Sequence, residues 1–139
     1  MNVVNHVYPT AGQLSALLQD ATPEPIVMVN LLKFREQAQY ADGRAAGSGR
    51  DAYMRYAAAM RPIVEGAGGR FLFWADVQRV VIGEVGEPWD AVGVVEYPSS
   101  TAFHRIATSP EVQAIGVHRE AGLAGQLLIQ TRAHDLARL

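Results

Sequence analysis

A few polar side chains stand among apolar neighbours, and their types limit the chemistry open to the chain. Asn30 lies inside the run Ile26 to Phe34, Ile-Val-Met-Val-Asn-Leu-Leu-Lys-Phe. A buried amide must be hydrogen-bonded, so Asn30 either ties down a loop or points at a ligand. Lys33, the single lysine of the chain, falls on the opposite face near the end of the run, where it is either a surface residue or a ligand contact. His118 follows Ile115 by three positions and so leans toward the buried side of a helix. As a neutral imidazole it could act as a general base. It could equally close the helix C-terminus, where positive charge is favoured. Arg119 could clamp a carboxylate through two parallel hydrogen bonds, or make a surface ion pair. Trp89 and Asp90 precede another apolar run. The indole is a pocket wall or a packing residue at the rim, and the carboxylate is an acid, a base or a turn former. Asn30 and His118 are the catalytic candidates, with Arg119, Trp89, Asp90 and Lys33 as ligand contacts.

Other chemistries lack their residues. The chain has no cysteine, which removes disulfides, thiol catalysis and iron–sulfur or zinc-ribbon sites. The histidines at 6, 104, 118 and 134 show no metal-ligand spacing, so no metal or other cofactor is expected. Gly43 to Gly49 lacks the phosphate-loop pattern and its lysine, and no G-x-S-x-G elbow supports a serine triad. The twelve basic residues are spread along the chain and form no nucleic-acid stripe. No apolar stretch approaches the ~20 residues needed to cross a bilayer. Met1 to Tyr8 lacks the features of a signal peptide. A cytoplasmic protein that binds neither nucleic acid nor membrane is expected.

The elements that must position these residues follow from periodicity. At 139 residues the chain makes one domain, with a core over 24–131, a leading helix over 10–20 and a polar tail over 132–139. Thr10 and Gln13 form a capping box for the leading helix, and Pro23 and Pro25 end it. Ile26 to Phe34 is a strand apolar on both faces. The polar connection 35–49 is long enough to be a lid or disordered. Ser48 and Asp51 suggest a second capping box. Tyr53, Tyr56, Ala57, Met60 and Val64 then recur on one helical face, with Pro62 expected to kink or break the helix. Arg70 to Ile82 is strand-like throughout, with a bulge or bend at Asp76. Ala91 to Tyr97 is the third strand. Helical residues follow after Ser99 and restart at Ser109-Pro110, and Gln126 to Thr131 is the last strand. A leading helix followed by βαββαβ predicts an α+β, ferredoxin-like domain, a four-stranded antiparallel sheet with its helices on one face. The open face is too apolar for water, and a second copy of the same sheet is the economical cover.

Four stretches together resemble a known family: Val27-Met28-Val29-Asn30-Leu31-Leu32-Lys33-Phe34, Gly68-Gly69-Arg70, Trp89-Asp90 leading to Glu96-Tyr97-Pro98-Ser99, and His118-Arg119-Glu120-Ala121-Gly122-Leu123. The pattern is similar to the domain of unknown function 1330, a bacterial group within the dimeric α/β-barrel superfamily. The resemblance implies a ferredoxin-like protomer and a homodimer whose sheets face each other as a barrel. It implies no reaction, since the wider superfamily spans cofactor-free oxygenases, lactone isomerases and haem-degrading proteins. Three functions are therefore open. One is a cofactor-free enzyme, an oxygenase or isomerase acting on an aromatic or lactone-like small molecule. The second is a non-catalytic dimer that binds a small ligand, and the third is a haem-handling protein. In each, Asn30 and His118 are expected to face one cavity between sheet and helices, with Arg119 at its mouth.

Overall fold

The computed structural model describes residues 1–44 and 47–139. The element order is α1 (Ala11–Gln19), β1 (Ile26–Phe34), α2 (Gly49–Gly66), β2 (Arg70–Asp76), β3 (Ala91–Tyr97), α3 (Ser100–Ala107), α4 (Pro110–Gly122) and β4 (Leu123–Thr131). A single 3-10 turn, Leu136–Arg138, lies in the tail. The strands lie in the order β2-β3-β1-β4, and every neighbouring pair is antiparallel. This is the expected ferredoxin-like α+β arrangement, with β1 and β3 in the middle. Within one protomer the sheet is open and not a closed barrel.

Local chemistry explains most of the boundaries. Thr10 and Gln13 make the reciprocal capping box of α1. Ser48 accepts from the Asp51 amide at the start of α2, but only this forward half of the second box forms. Ser99 and Ser109 cap α3 and α4 in the same way, with Pro110 in the first turn of α4. Pro62 does not break α2, which runs unbroken to Gly66. Both Pro62 and Ala58 are exposed, so water can take the carbonyl that the proline leaves without a donor.

Three strand expectations are corrected. β2 stops at Asp76, well short of Ile82: Asp76 pairs with Ala91 at the start of β3, and Val77 makes one further backbone bond, to the Asp90 carbonyl at 2.8 Å, before the ladder ends. Val81 and Ile82 are left 84% and 93% exposed. The bulge lies between Phe71 and Phe73, not at Asp76, whose carboxylate instead takes the Arg50 guanidinium at 2.6 Å. The extra residue turns both Phe71 and Trp74 toward the helices while Leu72 and Phe73 stay exposed, a change of aim that bulges commonly produce. β4 begins at Leu123, fully buried, straight from the end of α4 and three residues earlier than periodicity suggests.

The connection between β1 and α2 is built onto the helices. Gln37 bridges to Ser48, Ala38 donates to the Gly47 carbonyl, Gln39 donates to the Ala121 carbonyl, and Tyr40 is buried. Residues 45 and 46 of the expected lid lie outside the described residues. At its root α2 and α4 touch backbone to backbone: Arg35 donates to the Gly122 carbonyl at 2.8 Å, and Gly49 donates to the Arg35 carbonyl at 3.1 Å. A Cβ at Gly49 would collide with the Arg35 carbonyl and come within 2.7 Å of the Gly122 oxygen. Overpacking against backbone has no cheap relief, so Gly49→Ala should lower unfolding stability by about 2–3 kcal/mol in urea denaturation. An unchanged midpoint would show that the two helices can separate freely.

Candidate functional site

The layer between sheet and helices holds two apolar clusters, and they meet at Asn30. On one side Ile26 and Met28 pack with Met60, Val64, Val95, Tyr97, Ile106 and Val112. On the other, Leu32 and Phe34 pack with Tyr53, Ala57, Ala91 and Leu123. Among the described residues only Tyr56 packs against both. Register explains the gap. Asn30 pairs with Gly93 on one side and Leu128 on the other, and Gly93 pairs with Trp74. Trp74, Gly93, Asn30 and Leu128 therefore form one row across all four strands on the helix-facing side. Gly93 contributes no side chain, and a Cβ there would strike the Trp74 ring at 2.8 Å. The indole thus lies across Gly93 toward Asn30 and stacks on Tyr53 at 6.0 Å and 15°. Leu128, at the β4 end of the row, is 44% exposed, so the row opens to the outside at that edge.

A chain of polar groups runs along the row. Asn30 donates through Nδ2 to the Gly93 carbonyl at 3.1 Å, and its Oδ1 accepts from Gln126 Nε2 at 2.8 Å. Gln126 is itself buried, and its Oε1 accepts from an Arg119 Nη at 2.7 Å. The same guanidinium donates to the Val7 carbonyl and lies 5.4 Å from the Tyr8 ring centroid. The N-terminal segment is thereby drawn over β4, where His6 and Gln126 exchange backbone hydrogen bonds. Tyr53, Tyr56 and Tyr97 complete the layer. Burial raises the pKa of each phenol, although Arg119 pulls those of Tyr53 and Tyr56 back down. All three are neutral donors at physiological pH. Their hydroxyls have no hydrogen-bond partner among the described residues, yet none is sealed from solvent. Donors in that state are open to a ligand.

The remaining candidates sit in other networks. Lys33 and Asp90 pair at 3.4 Å, and Asp90 also accepts from the Phe34 amide at 2.8 Å. They line an open cleft of about 600 Å³ together with Arg35, Glu36, Arg50 and Glu87. Trp89 donates its indole N–H to Asn5 at 2.8 Å. His118 turns away from Asn30. Its Nδ1 lies 2.6 Å from the Tyr40 hydroxyl, which also accepts from Arg55 at 3.0 Å. Successive helical side chains diverge by about 100°, so Arg119 reaches the row and His118 reaches the connection. Gln126 joins Arg119 to Asn30, whereas His118 does not share that network and belongs to a separate cluster with Tyr40 and Arg55. Sequence reading missed Gln126 and Gly93. The signal for Gln126 was its polarity at an inward position of the last strand. Among the described residues no group of three or more His, Cys, Asp or Glu side chains is placed to hold a metal ion.

The network carries a stability consequence. Asn30→Ala strands the Gln126 amide inside the layer and should cost about 1–3 kcal/mol in chemical denaturation. Lys33→Ala removes an ion pair whose side chains are about a third exposed, so it should cost under about 1 kcal/mol. Equal losses would contradict the burial assigned to the Asn30 chain.

The model of the family described as Domain of unknown function (DUF1330) matches residues 40–132. The RPA0582 protein of unknown function from Rhodopseudomonas palustris superposes with a TM-score of 0.84 at 29% identity, covering 95% of this chain and 99% of that one. The methylated RPA0582 protein gives 0.87 at 30% identity, with 96% and 98% covered. A dimeric ferredoxin-like protein of unknown function from Jannaschia sp. CCS1 gives 0.52 at 12% identity over 78% of this chain and 99% of that one, a likeness of fold alone. An antibiotic biosynthesis monooxygenase candidate from Caulobacter crescentus CB15 also gives 0.52, at 15% identity over 84% and 96%. No curated protein matches the sequence. With two-thirds of its length matched by the family model, the chain belongs to the family described as Domain of unknown function (DUF1330).

Proposed function

We propose that the protein is a homodimer, sheet against sheet, and that each protomer binds an oxygen-bearing aromatic molecule in the row between sheet and helices and oxidises it with dioxygen, without metal or bound cofactor. The observation behind this reading is the polar row of Asn30, Gln126 and Arg119 set between two apolar clusters and faced by unpartnered tyrosine hydroxyls. Flat apolar walls, Trp74 and Tyr53, favour a planar ligand. Arg119 and the neutral phenols favour negative charge on its oxygen.

The side chains also argue for the reaction class. None of Asn30, Gln126, Arg119, Tyr53 or Tyr56 is a base near neutral pH. Lactone isomerisation needs a base to remove a carbon-bound proton, whereas a phenol brings its own acidic proton. Arg119 would favour the phenolate, which is electron-rich enough to react with dioxygen. A phenol with an unsubstituted ring carbon and one O₂ then yield a quinone and one water. One oxygen atom enters the ring carbon, and the other leaves with the hydroxyl proton and the proton of that carbon. The Caulobacter protein described as a monooxygenase candidate has the same fold, which makes the architecture compatible with this chemistry.

The dimer follows from the other side of the sheet. Register turns Val29, Leu31, Val92, Val94, Phe73 and Ile129 away from the helices, with Phe73 and Ile129 56% and 45% exposed in one protomer. A face of this kind in contact with water marks an interface, and the Jannaschia relative is described as dimeric.

Light scattering at micromolar concentration should give twice the 15.1 kDa chain mass, and Phe73→Glu should shift it toward monomer. A wild-type monomer would sink the assembly. Tryptophan fluorescence should report micromolar binding of naphthols or hydroxyquinones, weakened about tenfold or more by Arg119→Gln through loss of a charged hydrogen bond. Oxygen-electrode traces should show uptake with one of these ligands. Binding without uptake across the panel would leave a carrier and refute the enzyme; no binding at millimolar concentration would refute the pocket.

A further inference from the structure

The cluster around His118 lies outside the proposed pocket. Arg55 can only donate, so its contact at 3.0 Å occupies a lone pair of the Tyr40 oxygen. The Tyr40 oxygen lies 2.6 Å from His118 Nδ1, and a neutral imidazole with its proton on Nε2 offers the single phenolic proton an acceptor there. The rings meet edge to face at 5.5 Å and 81°. Tyr40 is 7% exposed and packs with Ala52 of α2 and Ala121 of α4. The connection between β1 and α2 is fastened to both helices at this one side chain.

We propose that the Tyr40–His118 hydrogen bond is a pH-sensitive latch holding that connection against α2 and α4. Protonation places a second donor at Nδ1, directly opposite the phenolic proton. The hydroxyl would then face donors from Arg55 and His118 together and lose the acceptor for its own hydrogen. Charge acts in the same direction. Arg55 of α2 faces the imidazole, and so does Arg44 of the connection, whose guanidinium lies 4.5 Å from the Tyr40 centroid. The Asp42 carboxylate is engaged by Arg44 at 2.8 Å, and Arg119 on α4 is turned to Gln126. Burial, then Arg55 and Arg44, lower the His118 pKa below its ordinary value. A native pKa below the unfolded one means that folding favours the neutral ring. The stabilisation is complete above about pH 6.5 and is lost as pH falls through the lowered native value. Release would be local, since Gln39 still donates to the Ala121 carbonyl and Ala38 to Gly47.

Amide hydrogen exchange on the full-length protein, corrected for the intrinsic pH dependence of exchange, tests the latch without any variant. The Gly43 amide, which donates to the Tyr40 carbonyl, should lose protection about tenfold between pH 8 and pH 5, the equivalent of one net hydrogen bond, while Ala38, Gln39, β1 and β3 stay protected. An NMR titration should place the His118 midpoint below that of a free histidine. His118→Asn offers a permanently neutral acceptor and should keep the protection at pH 5; Tyr40→Phe should lack it already at pH 8. Equal protection at both pH values, a His118 midpoint at or above the ordinary value, or a wild-type pH response in Tyr40→Phe would each overturn the latch.

Discussion

The interaction on which the rest of the molecule depends is the amide-to-amide hydrogen bond between Asn30 and Gln126, at 2.8 Å inside the layer between sheet and helices. Asn30 is only half-buried, yet both ends of its amide are engaged by the fold, since a polar group drawn between packed layers is costly unless it is hydrogen-bonded. Asn30 takes the Gly93 carbonyl on one side and Gln126 on the other, and Gln126 can serve it only by presenting its oxygen elsewhere. Arg119 accepts that role and carries the demand outward to Val7 and Tyr8. One polar residue on β1 thus fixes a side chain on β4, another on α4 and the path of the N-terminal segment. A chain of this kind is costly when half made, since each broken link strands the next group.

The same residue explains why the core is divided. An apolar side chain at position 30 would join the Ile26–Met28 and Leu32–Phe34 clusters into one, and Gly93 beside it gives up further packing for the Trp74 ring. A chain selected for stability alone would fill that row. Retaining an amide, a glycine and three tyrosine hydroxyls without a hydrogen-bond partner among the described residues runs against close packing. Departures of this sort tend to mark sites where ligand binding has been retained at the expense of packing.

Much of the architecture was legible because it rests on local rules. The capping serines, the proline in the first turn of α4 and the two-faced apolar character of Ile26 to Phe34 each point to an element that forms. What was not legible depended on partners distant in sequence. β2 could not be ended at Asp76 without knowing that Ala91 lies opposite, and the bulge at Leu72 is visible only in the register with β3. Pro62 misled because its effect depends on which face of α2 it occupies, and that face is solvated. At the site, Asn30 and Arg119 were recognisable from polarity in an apolar setting. Gln126 escaped because a glutamine near a strand end is ordinary until register places it two residues from Leu128 and opposite Leu32.

The divergence of His118 and Arg119 shows how one helix can serve two tasks. Adjacent residues on α4 differ by about 100° around its axis, enough to send Arg119 into the row beneath the helix and His118 to the connection beside it. Neither assignment is set by α4 alone. Arg119 is claimed by a buried acceptor on β4, whereas His118 is claimed by Tyr40, whose hydroxyl Arg55 already occupies on its other side. The guanidinium is charged at any physiological pH and suits a site that favours anions. The imidazole gains charge as pH falls and suits a contact that must be made or broken. The chemistry of the two side chains therefore separates as their directions do, with the permanent cation facing the candidate pocket and the titrating base facing the segment that borders the cleft.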